Sequence, residues 1–361
     1  MTDRAGRSGT RVGPLARGLA HPVANLALRR FGGRRTLEEA AVASDTLQEV
    51  ESVPLGEIVA LPGAEARLTG SDTALAEFER ELSRLQAPTI SHGAVRRHVL
   101  ENCFVHGAGF DWRGGGYRIR QLSVPRDLSA SAPRIEAATY AMTALSHQFF
   151  GHWLREACST AVLAPEGEAL ILDVPEAWPH ARAYVEAFGL SPTAGRPLRV
   201  ERLTVYTDNS YGSHRVARMR TLRARLGTGA RGARGRLYLE RGAAGSPRGL
   251  ADTDGFHAAL QRLGFQILDI TAARYQEVAA AIAAADLVLA IEGSHQSHIH
   301  YHLREGGALL TLMPADRLST IHTACALALG FRYGYVVIEP TPDGYSVDLG
   351  DLEATLALLD A

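Results

Sequence analysis

The chain has 361 residues, 46% of them hydrophobic and 21% charged, with a formal net charge of −1. That composition supports a large core and two domains of ordinary size, and it excludes a disordered chain and a globally basic nucleic-acid binder. All 38 basic residues are arginine, which excludes P-loop, Schiff-base and pyridoxal-phosphate chemistry, so any phosphate must be held by arginine forks, backbone amides or a metal.

Three cysteines, Cys103, Cys158 and Cys325, form no CxxC pair and fit reduced thiols in a cytoplasmic protein. No run of about 18 apolar residues predicts a membrane-spanning helix. The N-terminus lacks the apolar core of a secretory leader.

Residues 1–45 carry Arg4, Arg7, Arg11, Arg17, Arg29, Arg30, Arg34 and Arg35 among glycines and serines, and read as a mobile basic arm. A short amphipathic helix over Val23–Phe31 would suit contact with an anionic membrane surface, at the inner face of the membrane; a solvated tail explains the same residues. The spacing of Leu75, Phe78, Leu82 and Leu85 predicts a helix over Thr73–Gln86, capped by Asp72 or Thr73. Short strands follow over His98–Val105 and Tyr117–Leu122, around the turn Trp112-Arg-Gly-Gly-Gly.

A helix over Phe150–Ala161 brings His152 and Glu156 to one face, at i and i+4. A carboxylate that orients an imidazole raises its basicity and fixes its tautomer, as a general base requires. The same spacing also serves a pair that only stabilises the helix surface. Glu168–Asp173 reads as a buried strand and Trp178–Phe188 as a helix. Ser191-Pro-Thr-Ala-Gly-Arg-Pro197 reads as the linker between domains.

Beyond it, strands at Arg199–Tyr206, Arg236–Glu240, Phe265–Asp269, Asp286–Ile291 and Ala308–Met313 alternate with helices at His214–Leu226, Asp254–Leu263, Tyr275–Ala285 and Ile321–Leu329. This pattern predicts βαβ units and a parallel sheet, with a mobile loop over Gly227–Gly235 and a closing helix over Leu349–Leu359.

The apolar run Asp286–Ile291 ends at Glu292-Gly293-Ser294, the shape of a phosphate site. Gly293 admits a ligand close to the backbone, and Ser294 caps a helix whose free amides favour an anion. An ordinary strand-to-helix turn gives the same pattern. His295, His298 and His302 would share a helical face, with His300 beside them, which opens a metal reading; the His-Glu-x-x-His signature is absent.

In this order the segments resemble glycosyltransferase family 61, over about residues 100–320. Phe149-Phe-Gly-His-Trp-Leu-Arg-Glu156 is similar to its aromatic-Gly-His-aromatic-Leu-x-Glu segment. Leu237-Tyr-Leu-Glu-Arg241 is similar to its Tyr-Val-Ser-Arg strand end, and Phe265–Asp269 through Gly293-Ser294 to Leu312-Met-Pro314 to its strand, alanine-rich helix and His-Gly-Ala turn. The chain departs from that pattern in four places: Glu292-Gly-Ser294 for His-Gly-Ala, His298 for an asparagine, Glu240 for serine, and Arg248 with Asp252 or Asp254 for Arg-x-x-x-Asn-Glu.

The resemblance implies an α/β protein with two Rossmann-like domains in the GT-B arrangement: an acceptor-side domain over 46–195, a nucleotide-sugar domain over 196–345 and a closing helix over 346–361. It implies an inverting transferase that uses a nucleotide-sugar, UDP-sugar foremost, as co-substrate, with no other cofactor and no metal. The acceptor would be a glycan, glycolipid or small molecule in glycan or polysaccharide biosynthesis. His152 is then the base oriented by Glu156. Arg241, Arg248, Glu292, Gly293, Ser294, His295 and His298 bind the donor. Two alternatives stand beside it: a metal-dependent hydrolase built on the histidines at 295–302, and a degenerate, non-catalytic member of the same fold.

Overall fold

A computed structural model describes residues 35–71, 75–123, 132–227, 235–242 and 248–360. The N-terminal part carries α1 (Leu37–Ala40), β1 (Ala43–Gln48), β2 (Glu51–Pro54), β3 (Ile58–Val59), α2 (Leu75–Gln86), β4 (Thr89–His92), β5 (Val95–His106), β6 (Gly109–Trp112), β7 (Gly115–Arg118) and β8 (Arg134–Tyr140). There follow α3 (Ala144–Gln148), α4 (Phe150–His152), a π-helical turn (Trp153–Ala157), α5 (Cys158–Ala161), β9 (Ala169–Ile171), α6 (Ala181–Ala187), β10 (Leu198–Thr207) and α7 (Ser213–Arg225). The C-terminal part alternates: β11 (Arg236–Glu240), α8 (Thr253–Arg262), β12 (Phe265–Asp269), α9 (Tyr275–Ala283), β13 (Leu287–Ile291), a 3-10 turn (Ser294–Gln296) running into α10 (Ser297–His302), β14 (Ala308–Pro314), α11 (Ile321–Ala328), β15 (Arg332–Thr341), β16 (Gly344–Ser346) and α12 (Leu349–Asp360).

The C-terminal strands form one sheet in the order β12-β11-β13-β14-β15-β16, parallel from β12 to β15. Every residue of β13 and β14 is buried, as expected of strands covered on both faces. Alternate residues serve two cores. Leu287, Leu289 and Ile291 pack with Phe256 and Leu260 of α8 and Leu352, Leu356 and Leu359 of α12. Val288 and Ala290 face Val278 and Ile282 of α9, in a core continuous with that of the N-terminal part. Helices therefore cover both faces. Counted from β11, the strand order is 2-1-3-4-5, which reverses direction between β11 and β13; ligands collect at such a switch point, outside the carboxyl ends of the strands.

The other large sheet runs β7-β6-β5-β10-β8-β9, with β1 also pairing β5. Strands β10, β8 and β9 are parallel, whereas β10 to β5, β5 to β6 and β6 to β7 are antiparallel. The α/β class expected from sequence holds. The C-terminal sheet is doubly wound; the N-terminal sheet is a mixed sheet whose parallel strands continue into an antiparallel meander.

Three expectations shift. The strand expected at Arg199–Tyr206 does not open the C-terminal sheet: β10 lies between β5 and β8, so the N-terminal sheet extends to Thr207 and Ser191–Pro197 precedes one of its central strands. Across the sheet, Glu201 and Arg202 pair with Arg134 and Glu136 of β8. Of the arm expected over 1–45, residues 1–34 lie outside the described residues, as does the amphipathic segment Val23–Phe31. Residues 36–45 instead form α1, capped reciprocally by Thr36 and Glu39, and most of the part of β1 that pairs β5. Strand β15, absent from the sequence reading, closes the parallel series, and β3 crosses over to pair its edge. The Asp72 or Thr73 cap and most of the loop over 227–235 also lie outside the described residues.

No helix among the described residues is long and apolar enough to cross a membrane.

Candidate active site

The helical segment from Phe150 to Ala161 is held by what it buries. Trp153, Leu154, Ala157 and Cys158 are fully enclosed, and the Trp153 indole donates to the Asp173 carbonyl at 2.7 Å. Arg155 is buried as well, donating to the Gly151 carbonyl at 3.1 Å and meeting His322 Nδ1 at 3.3 Å. Between α4 and α5 the backbone takes a π turn, in which the Cys158 amide bonds the Trp153 carbonyl. Such turns recur at functional sites. His152 and Glu156 sit on the one partly open side, with 18% and 14% of their side chains exposed.

The expected pair forms. His152 Nδ1 lies 2.6 Å from Glu156 Oε1. With Nδ1 donating to the carboxylate, Nε2 is the nitrogen left to accept a proton. Glu156 Oε2 accepts from Thr143 Oγ1 at 3.3 Å, and Arg215 Nη1 stands 3.8 Å from Oε1. Burial alone would raise the Glu156 carboxyl. The hydrogen bond from His152 and the charges of His152, Arg215 and Arg155 outweigh it and hold the group below its ordinary value.

The second half of the site lies at the switch point. Arg241 directly follows β11, and Glu292 directly follows β13. Arg248 Nη1 donates to the Glu292 carbonyl at 2.6 Å and also engages its carboxylate; Arg241 Nη1 donates to the same carbonyl at 3.4 Å. Gly293 has φ +149°, and a Cβ there would lie 2.2 Å from Arg241 Nη1 and 3.0 Å from Arg248 Nη1. Only glycine lets both guanidinium groups crowd this turn. His295 follows, buried, its pKa lowered to about 3 by burial and by the charges of Arg241 and Arg248. It is a neutral ring beside two cations. The Gln296 amide fixes the turn, donating to the carbonyls of Ala290 at 3.1 Å and Ile291 at 3.2 Å.

Gly151 joins the halves. A Cβ on it would lie 2.8 Å from Ser297 Oγ, 3.1 Å from Ser294 Cα and 3.3 Å from Ser294 Cβ. The residue before His152 is thus in contact with the turn after β13. Five of the nine expected site residues fall into two hydrogen-bonded groups, His152 with Glu156 and Arg241 and Arg248 with Glu292; Gly293 lies under the two guanidinium groups, and Ser294 packs against Gly151.

His298 faces elsewhere. It is buried, stacked on Phe150 at 4.9 Å, with Nδ1 2.8 Å from the Tyr184 hydroxyl. That hydroxyl also meets His302 Nε2 at 3.0 Å, while His300 packs toward His322 at 5.2 Å. His298 and His302 thus share one face, against Tyr184, while His295 stands in the 3-10 turn ahead of α10, beside Arg241 and Arg248. Among the described residues, no group of three or more histidine, cysteine or acidic side chains stands where it could hold a metal ion.

The sequence pattern assigned no role to Thr143, Asp208 and Arg215, and Gly151 entered only as part of the segment around His152. For Arg215 a signal existed: α7 places Val216, Met219 and Leu222 on its inner face, and Arg215 and Arg218 are buried beside them.

No curated protein matches the chain. Residues 150–309 match the family model described as Glycosyltransferase 61. The match begins at the helix that carries His152 and Glu156 and runs past the turn at Glu292–Ser294 into β14. Over residues 150–309 the chain is thus similar to glycosyltransferase family 61, the family its sequence segments resemble.

Proposed function

We propose that the protein is an inverting glycosyltransferase of GT-B arrangement that moves a sugar from a nucleotide-diphosphate donor, a UDP-sugar, to an acceptor hydroxyl in glycan or polysaccharide biosynthesis. The match to the Glycosyltransferase 61 model supports transfer from a sugar donor to an acceptor. One observation carries the rest: the His152–Glu156 pair is packed through Gly151 against the turn at the switch point of the doubly wound sheet.

In the proposed step, His152 Nε2 takes the acceptor hydroxyl proton as that oxygen attacks the anomeric carbon. The bond from that carbon to the diphosphate oxygen breaks on the opposite face, and its electron pair leaves with the diphosphate. Glu156 stabilises the imidazolium that forms. Arg241, Arg248 and the backbone amides after Gly293 receive the developing negative charge, a role that falls to arginine in a chain without lysine. In the free protein Glu292 occupies Arg248, so the donor must share that guanidinium or displace the carboxylate. Cytoplasmic placement, and contact with a membrane surface through the basic N-terminal residues, would bring the enzyme to a lipid-linked acceptor.

The test is a thermal shift of the full chain with UDP, GDP, CMP and dTDP, with and without a chelator, followed by turnover with the sugar form of the nucleotide that binds. A ligand at 100 times its Kd adds about 2.7 kcal/mol, a midpoint rise of several degrees. UDP is expected to give it, and His152→Ala to lower turnover by about 10²–10⁴-fold. Failure of every nucleotide to bind overturns the donor reading. Full activity in His152→Ala overturns the base.

A further inference from the structure

We propose that Arg215 is a positioning residue of this site, setting through Glu156 the proton affinity of the His152–Glu156 pair. The inference rests on the reading of His152 as base and extends it to a residue on another element, fifty-nine positions beyond Glu156 in the sequence.

The geometry is that of a charge held in place. Arg215 is 2% exposed, and its Nη1 stands 3.8 Å from the same Glu156 oxygen that His152 engages. The far side of the guanidinium is anchored on Asp208, with Nε donating to Oδ2 at 3.2 Å, Nη2 lying 3.0 Å from Oδ1, and Nη2 also reaching the Asp208 carbonyl. The Tyr211 ring lies 5.4 Å from the guanidinium carbon. Arg218, one turn on, engages Asp208 as well. Asp208 thus holds Arg215 at ion-pair distance from Glu156, beyond hydrogen-bond reach.

The other charged and titratable groups around the pair are Arg155 of the same helix, Tyr117 of β7, Tyr211 ahead of α7, and His322 of α11. Arg215 and Arg155 are the cations that face the carboxylate. His152 and Glu156 share one proton system, so a fixed positive charge beside them lowers the affinity of the pair for an added proton, whichever member binds it.

The test is an imidazole titration by NMR on the full chain labelled with ¹⁵N-histidine, with His152 identified as the signal lost in His152→Ala. Arg215→Met is expected to raise the His152 midpoint by about one pH unit, and Arg215→Lys, which keeps the charge, to leave it near wild type. The acid limb of kcat/KM should move with it. A purely structural role would lower the melting temperature of Arg215→Met and leave the midpoint in place; an unmoved or lowered midpoint in the folded variant overturns the proposal. Should Arg215→Met fail to fold, Asp208→Asn is read instead. Removing that negative charge must lower the midpoint, and no change or a rise overturns the proposal. An inactive His152→Ala with an unmoved midpoint in Arg215→Met rejects Arg215 alone. An active His152→Ala rejects the base reading, whatever the midpoint does.

Discussion

Gly151→Ala tests the joint between the two halves of the site. Inside a helix this change ordinarily adds about 0.5–1 kcal/mol of stability. Here the new methyl would stand 2.8 Å from Ser297 Oγ and 3.1 Å from Ser294 Cα. The hydroxyl can rotate away. The Cα cannot, because Gln296 ties its turn to Ala290 and Ile291, so the helix and the turn must part by a few tenths of an ångström. Overpacking of this kind costs about 1–3 kcal/mol, which the helix gain partly offsets, leaving a net loss on the order of 1 kcal/mol. Catalysis is more exposed than stability. A displacement of about 1 Å costs on the order of 10²-fold, and a few tenths should cost roughly tenfold, read in kcat. The assay is turnover beside a melting curve. Equal turnover in Gly151→Ala would refute the argument that this contact sets the distance from base to donor. A loss of turnover matched by a collapse in melting temperature would refute the claim that the contact matters more to catalysis than to stability.

Glu156→Gln keeps the size and a hydrogen bond to His152 but removes the charge that supports an imidazolium; kcat should fall about 10²-fold or more while nucleotide binding by thermal shift stays unchanged. Arg248→Met leaves the Glu292 carboxylate, 8% exposed, without its closest cation; the variant should lose about 3–5 kcal/mol in urea unfolding and should not shift with UDP. Stability should fall in mild acid. His295, His298, His300, His302 and His322 are buried with pKa values lowered mainly by burial, to about 3 for His295 and His302, so each is neutral when folded and takes a proton when unfolded below about pH 6.5. The stability these rings leave intact is complete above that pH and is lost as pH falls through and below it, by up to about 1.4 kcal/mol per pH unit for each ring. Urea midpoints that stay flat between pH 7 and 5 would refute the burial of this cluster.

The C-terminal sheet was legible because its chemistry leaves little choice. Strands covered on both faces need unbroken apolar runs, and Leu287–Ile291 and Ala308–Met313 are such runs, each set off by helices. The pair His152 and Glu156 was legible because helical spacing is local. What could not be read was pairing across the chain. Strand β10 alternates buried with more exposed residues, but the strands it pairs with, β5 and β8, lie about sixty to a hundred residues earlier, and spacing along β10 does not say which they are. The capping box Thr36-Leu-Glu-Glu39 announced α1, yet the arginines before it dominated the reading of residues 1–45. The histidines of α10 suggested a ligand shell because side-chain type was visible and direction was not. Tyr184, which engages two of them, is over a hundred positions distant.

The π turn at Trp153–Ala157 amounts to one residue more than an α-helix would use between Phe150 and Ala161. Deleting one residue inside it would restore the ordinary ladder and keep both flanks in register, while rotating Glu156 away from His152 or from Arg215. Such a molecule should transfer no sugar, and a deletion variant that keeps its turnover would show the extra residue to be incidental. The site thus depends on a local departure from the ordinary helical ladder, and a change that regularised this helix would undo the site first.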